Sequence, residues 1–196
     1  IWEIKIHPSK PIIGIIEAKN HASYNFYYKK LDTKDPVVKL YTSPGDQQRF
    51  MVGCRFSHSG DHLALWGGSA HVGSVIIYGG DTGEELFKDE TTHTRAIFSL
   101  RFSPDETLFA TCSVDESVRF WNSKTFKTQG QLLQHKAEVW NGEFSPDQSR
   151  FVSYTSNGEL AVWSTETKEL THAFTKHESP FAMAAFSKDG KSVMGG

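Results

Sequence analysis

The sequence predicts an all-β fold made by repeating one four-stranded unit, and three observations carry that prediction. A Phe-Ser step recurs at Phe56-Ser57, Phe102-Ser103, Phe144-Ser145 and Phe186-Ser187, at spacings of 46, 42 and 42 residues, with a degenerate Ile6-His7 50 residues ahead of the first. Two more registers travel with it: His93, His135 and His177 stand nine residues before their Phe, and Trp121 and Trp163 stand nineteen after theirs. Between turn signals the apolar residues alternate with period two, and no helical stripe runs to the length of a helix. A fixed period of about 40–45 residues marks an array of blades, each a supersecondary unit that buries its faces against its neighbours.

Residues 1–46 offer strands at 2–6, 10–17, 24–28 and 37–41, with His7-Pro8-Ser9 as the first turn. Residues 47–92 offer 50–56, 63–66, 75–78 and 86–88, and Asp81-Thr82-Gly83 turns the third of these into the fourth. The Gly-rich run 67–74 invites a phosphate reading, but a phosphate cradle needs a helix N-terminus after the glycines. Strand-like Val75-Ile76-Ile77-Tyr78 follows instead, so the run is read as a wide blade loop. In residues 93–134 alternation sets Ala96, Phe98, Leu100 and Phe102 against Ile97, Ser99 and Arg101. Apolar residues on both sides call for cover on both sides. Residues 135–176 repeat the plan at 139–144, 150–155, 160–163 and 170–174, and 177–196 begins a fifth repeat.

These residues resemble the WD-repeat β-propellers, whose blades carry a His before the innermost strand, an FSPDG-like turn, a strand with small hydroxyl residues, an Asp turn and a closing Trp-Asp. The match is closest over 93–176. Residues 47–92 keep Phe56, Ser57 and Gly60-Asp61 but have Gln47 at the His position and Tyr78 at the Trp position; residues 1–46 place Tyr28 there. The resemblance implies a β-propeller of four-stranded antiparallel blades, about four and a half of them here. Half a blade does not close a ring, so an incomplete ring is expected, completed by further blades from the same or another chain.

The resemblance also implies that His93, Thr111 or Ser113, Asp115 and Trp121 form a structural hydrogen-bond lattice, although their composition mimics a Ser-His-Asp triad. The fourth repeat carries His135, Ser153 or Thr155 and Trp163, with Asn157 where Asp would stand. A set that recurs blade after blade argues against catalysis, since an enzyme needs one site. Partners of such proteins commonly dock on the face formed by the loops before the inner strands. Carried over by register, the partner-binding positions are Ala96, Phe98, Glu138, Trp140 and Pro180, with Phe50 and Trp2 from the weaker repeats and Val114 and Ser156 just before the Asp position. Aromatic anchors beside a carboxylate are what interface hot spots look like. The competing reading is packing between blades.

Other classes find little support. His58, Asp61, His62 and His71 have metal-binding side chains, but His71 lies beyond a strand of roughly 15 Å from the rest, so no metal or cofactor is expected. A formal net charge of −2, from 21 basic and 23 acidic residues, gives no field that singles out nucleic acid or an anionic membrane. No apolar run approaches the roughly 18 residues of a membrane helix. Cys54 and Cys112 lack metal or disulfide spacing, which suits a reducing compartment, cytoplasmic or nuclear. The sequence therefore reads as a non-catalytic scaffold that binds proteins or peptides within an intracellular multiprotein complex. A nucleic-acid- or chromatin-associated propeller is the second reading. An enzyme is the third, and Glu138 alone is too little for paired acid/base work.

Overall fold

A computed structural model describes residues 3–20, 23–43, 50–174 and 183–196, apart from the side chains at 19, 20, 23 and 50–52. The first sheet takes β1 (Glu3–Ile6), β2 (Ile12–Asn20), β3 (Ser23–Lys30) and β4 (Val38–Thr42) in chain order, and the second takes β5 (Phe50–Phe56), β6 (His62–Gly68), β7 (Gly73–Gly79) and β8 (Glu85–Asp89). The third holds β9 (Ile97–Phe102), β10 (Leu108–Ser113), β11 (Ser117–Asn122) and β12 (Thr128–Gln134), and the fourth β13 (Val139–Phe144), β14 (Arg150–Thr155), β15 (Leu160–Ser164) and β16 (Leu170–Phe174). β17 (Ala184–Phe186) and β18 (Val193–Gly195) pair as a two-stranded sheet. The chain divides into two compact units, residues 1–97 and 98–196.

One turn is built again and again. Ser57, Ser103, Ser145 and Ser187 each accept at Oγ the N–H of the residue five positions on, at 3.3, 3.0, 3.0 and 2.9 Å. The residue three after each serine is left-handed: Gly60 at φ 89°, Glu106 at 57°, Gln148 at 53° and Gly190 at 69°. The first blade has His7 at the serine position, and the backbone pattern survives, with His7 N–H donating to Ile12 O at 2.9 Å. Its Nδ1 replaces the hydroxyl by accepting the N–H groups of Ser9 and Lys10, both at 3.1 Å. The ring then reaches further than a serine, bringing Nε2 to 3.4 Å from Asp81 Oδ1 in the β7–β8 turn. Gly60 makes room for it, since a Cβ there would lie 2.2 Å from the imidazole.

Half of the glycine run 67–74 is strand, which narrows the wide loop expected there to residues 69–72. Gly67 pairs with Ser74 and Gly68 with Gly73, and Ser69 N–H closes on Val72 O at 2.7 Å. The glycines belong there because the chain at 93–96 lies close against them: Gly73 N–H donates to His93 O at 2.9 Å, and a Cβ on Gly73 would stand 2.5 Å from Arg95 O. A second correction concerns Tyr28. The register Leu63↔Tyr78, Phe109↔Trp121 and Phe151↔Trp163 is matched in the first blade by Ile13↔Lys29, so Lys29 holds the Trp position. Tyr28 points to the other face and donates to Asp81 O at 2.6 Å.

Within each unit, sheet covers sheet. In the first, Ile12, Ile16, Phe26 and Tyr28 pack on Cys54, Phe56, Leu63, Leu65, Ile76 and Tyr78. In the second, Phe120, Cys112 and Leu133 of the third blade meet Phe144, Phe151 and Trp163 of the fourth, with ring centroids of Phe120, Phe144 and Phe151 only 4.9 to 5.7 Å apart. Alternation then sends Val152, Tyr154, Leu160 and Val162 to the opposite face, where Ala184, Phe186 and Val193 cover them. Outer strands are mostly exposed, and β4, β8, β12 and β16 all carry a register shift against their inner neighbours. Such irregularities blunt a sheet edge against further pairing.

Buried polar side chains tie the strands of the later blades together. Trp163 Nε1 donates to Ser153 Oγ at 2.8 Å, and Ser153 Oγ bonds His135 Nε2 at 2.8 Å. His135 turns its Nδ1 toward Glu159 Oε1 at 3.3 Å, a charge contact without hydrogen-bond alignment. In the third blade Trp121 Nε1 donates to Thr111 Oγ1 at 2.9 Å. Thr111 and Ser153 are therefore the hydroxyls that receive the tryptophans. Ser113 accepts the N–H of Asp115 at 3.1 Å, and Ser117 donates to the Asp115 carboxylate. In the second blade Leu65 stands at the hydroxyl position, and the buried Tyr78 hydroxyl has no hydrogen-bond partner among the described residues.

Three outcomes follow from this bonding. Tyr78→Phe removes a buried, unsatisfied hydroxyl while keeping the ring, and is expected to stabilise the protein by about 1 kcal/mol in denaturant titration. Ser153→Ala strands both the Trp163 N–H and His135 Nε2, and should cost roughly 2–3 kcal/mol by the same measurement. The third concerns acid. Burial, working against the nearby Glu159 carboxylate, holds the His135 pKa below the ordinary histidine value. The unfolded chain therefore takes up this proton first, so the contribution of His135 is complete above about pH 6.5 and fades as pH falls below it. Melting curves across that range should drop more steeply for the wild type than for His135→Gln; equal slopes would place the acid sensitivity elsewhere.

Candidate functional site

The second unit gathers its inter-strand loops at one end. His135 N–H donates to Glu116 O at 2.8 Å, which fastens the β12–β13 connection to the β10–β11 turn, and Ser156 N–H donates to Glu138 O at 2.9 Å, which fastens the β14–β15 turn to the same connection. Just past that connection β13 carries a bulge. Val139 pairs with Thr155 and Asn141 with Tyr154, so Trp140 is the extra residue between them. A bulge re-aims a side chain out of the regular alternation. The result is an indole 37% exposed, whereas Trp66, Trp121 and Trp163 are 6%, 2% and 7% exposed.

The partner-binding positions sort by burial. Glu138 and Ser156 are half-buried beside the exposed Trp140, and Phe98 at the start of β9 is half-buried. Ala96 and Val114, expected on the face, are both buried. Ala96 lies against Gly68, and its N–H donates to Ser69 O at 2.9 Å. Trp2, Pro180, Gln47 and His177 lie outside the described residues, as does the side chain of Phe50.

The residues that mimic a hydrolase are engaged structurally. His93 is buried, as are Thr111, Ser113 and Trp121. Asn157, which stands where the Asp is expected, accepts from Thr155 Oγ1 at 2.6 Å and from Glu159 N–H at 3.3 Å. Glu159 takes the place beside His135, and the sequence reading missed it. The signal was available by register, since Asp115 and Ser117 of the third blade align with Asn157 and Glu159 of the fourth. The carboxylate has moved two residues along the same turn. His7 was missed for the same reason, as a histidine in a serine's place.

His58, Asp61 and His62 lie at the β5–β6 turn and His71 in the β6–β7 connection, and among the described residues no three His, Cys, Asp or Glu side chains converge to hold a metal ion. Both cysteines are buried thiols, and burial raises the pKa of Cys112 to about 12, which suppresses the reactive thiolate. An open cavity of about 690 Å³ at the other end of the second unit is lined by polar turn and edge residues such as Gln129, Gln131, Thr165 and Glu166. It offers no aromatic anchor. No helix among the described residues is long and apolar enough to cross a membrane.

Known proteins share these features. Residues 85–122 match the WD domain, G-beta repeat, family model. WD repeat-containing protein 1 of Rattus norvegicus is 30% identical over 118 residues, covering 57% of this chain and 19% of its own length. Target of rapamycin complex subunit LST8 of Bos taurus is 45% identical over 40 residues, covering 20% of this chain and 12% of its own length. The matches thus span less than a fifth of these curated relatives. Among solved structures, a chain of the "Crystal Structure of Mitotic Checkpoint Complex" superposes with a TM-score of 0.75 at 16% identity, over 94% of this chain and 53% of that one. At that identity the likeness speaks for the fold. One repeat, residues 85–122, thus matches the WD-repeat family model, and the four antiparallel four-stranded sheets have the all-β, WD40-like fold of a propeller structure.

Proposed function

We propose that this chain is a non-catalytic protein–protein interaction scaffold, a subunit of an intracellular multiprotein complex that offers the loop end of its second unit to a peptide or protein. The observation that carries the proposal is Trp140, an indole lifted by a bulge onto a surface whose loops are fastened by backbone hydrogen bonds. An exposed aromatic costs solvation unless a partner covers it, and a rigid surround lets a partner bind without ordering loops first. Phe98, Glu138 and Ser156 are the other contact positions of the proposal. Trp2, Phe50 and Pro180 are carried over by register alone.

Two relatives bear on the reading through their names: one is a subunit of the target of rapamycin complex, and the other comes from a mitotic checkpoint complex. By this proposal the segments 1–46, 47–92, 93–134 and 135–176 are successive blades and 177–196 begins a fifth, with further blades supplied by the same or another chain. Exposed apolar side chains on β1, Ile4 and Ile6, and around the last hairpin, Met183 and Met194, are consistent with sheet faces that await cover. A cytoplasmic or nuclear setting suits two buried thiols kept reduced. A nucleic-acid-binding role would require affinity that falls steeply with salt.

Trp140→Ala is expected to weaken the natural partner by about 2 kcal/mol or more, a loss typical of an interface anchor, with little change in melting temperature. The measurement is affinity capture to identify the partner, followed by titration calorimetry with wild type and variant. Unchanged affinity together with a lost thermal transition would return Trp140 to the core and refute the proposed face.

A further inference from the structure

Resting on that proposed face, we infer that it takes an arginine-bearing basic segment. Among the described residues, the loop end of the second unit takes the β10–β11 turn at 114–116, the β12–β13 connection at 135–138 and the β14–β15 turn at 156–159, which carry four carboxylates, Asp115, Glu116, Glu138 and Glu159, against one ammonium, Lys136. The turns at the opposite end, 103–107, 123–127, 145–149, 165–169 and 187–192, carry six carboxylates against five ammonium groups. The excess of negative charge is thus concentrated at the end where Trp140 is exposed.

These charges act as a field, and their local bonds do not remove it. Asp115 receives a hydrogen bond from Ser117 and Glu159 lies beside His135, yet both still contribute negative potential to the shared surface. Such a potential draws cationic segments and repels acidic ones. The indole supplies the short-range half of the recognition. A cation over an aromatic face is attracted by the ring quadrupole, and a guanidinium is planar, weakly hydrated and able to stack while it donates to a carboxylate, which a compact ammonium does not match. Arginine therefore fits this pairing of indole and acidic rim better than lysine. An acidic peptide or a phosphate backbone is disfavoured by the same charges.

The test uses three fluorescein-labelled Gly-Ser peptides interspersed with arginine, lysine or glutamate, titrated into the intact chain by fluorescence anisotropy at low and at physiological salt. The arginine peptide is expected to bind at least about tenfold more tightly than the glutamate peptide and more tightly than the lysine peptide. Trp140→Ala and the surface charge reversal Glu138→Lys should each weaken it several-fold, while Trp140→Phe, which keeps a ring, should recover part of the loss. Equal binding of the arginine and glutamate peptides, or arginine-peptide binding indifferent to both Trp140→Ala and Glu138→Lys, would overturn the inference. The two readings fail separately. A natural partner that depends on Trp140 but meets it with a neutral or acidic segment refutes the arginine and leaves the scaffold face standing.

Discussion

Every four-stranded sheet in this chain has two faces to hide, and the need to cover each with another sheet is the constraint from which the rest of the structure follows. Within the second unit, three phenylalanines from two blades meet in one cluster, Phe151 edge to face with both Phe120 and Phe144. Burial of such a ring contributes roughly 1.5–3 kcal/mol, against about 0.5–1.5 kcal/mol net for an ordinary hydrogen bond. Apolar cover therefore provides most of the drive for blades to stack. Its weakness is that it is non-directional, and many alignments of two greasy sheets would bury similar areas.

Directional groups choose among those alignments. The chain from Trp163 through Ser153 to His135 links two strands of one blade to the loop that enters it, and a slip of one residue would strand all three polar groups in the interior. The same logic explains His7. Where the other blades use a serine to close the inner turn, the imidazole closes the turn with one nitrogen and presents the other to Asp81 of the neighbouring blade. One side chain there replaces a local cap and adds a link between blades. The fourth blade keeps its carboxylate although the usual position is Asn157, because Glu159 approaches His135 from two residues further on.

The candidate interface sits where regular alternation is interrupted. Regular alternation hides the large aromatics of the inner strands between sheets, and an inserted residue breaks it at Trp140 as another does between Met51 and Gly53 of the second blade. The exposed indole stands among loops that backbone hydrogen bonds hold together, His135 N–H to Glu116 O and Ser156 N–H to Glu138 O. The bulge itself belongs to the repeat; what is particular to the fourth blade is the exposed tryptophan that stands on it.

From the sequence alone, the repeat register determined the all-β class, the number of strands and the position of nearly every turn, because those features depend on spacing within a few residues: Pro, Gly, Asp and Ser set turns locally, and period two sets faces. The WD-like set of His, hydroxyl and Trp was legible for the same reason. What only the tertiary structure decided was which members of that set touch. Thr111 and Ser153 receive the indoles rather than Ser113 and Thr155, Glu159 rather than Asn157 faces the histidine, and Lys29 rather than Tyr28 occupies the first blade's Trp position. Exposure was equally out of reach: Ala96 and Val114 are buried and Trp140 is not. A hydrogen bond forms or fails over a few tenths of an ångström, and a bulge shifts a side chain by a whole face. Such outcomes are set by strands paired across the sheet and by the sheet packed behind it, and a one-dimensional register does not contain them.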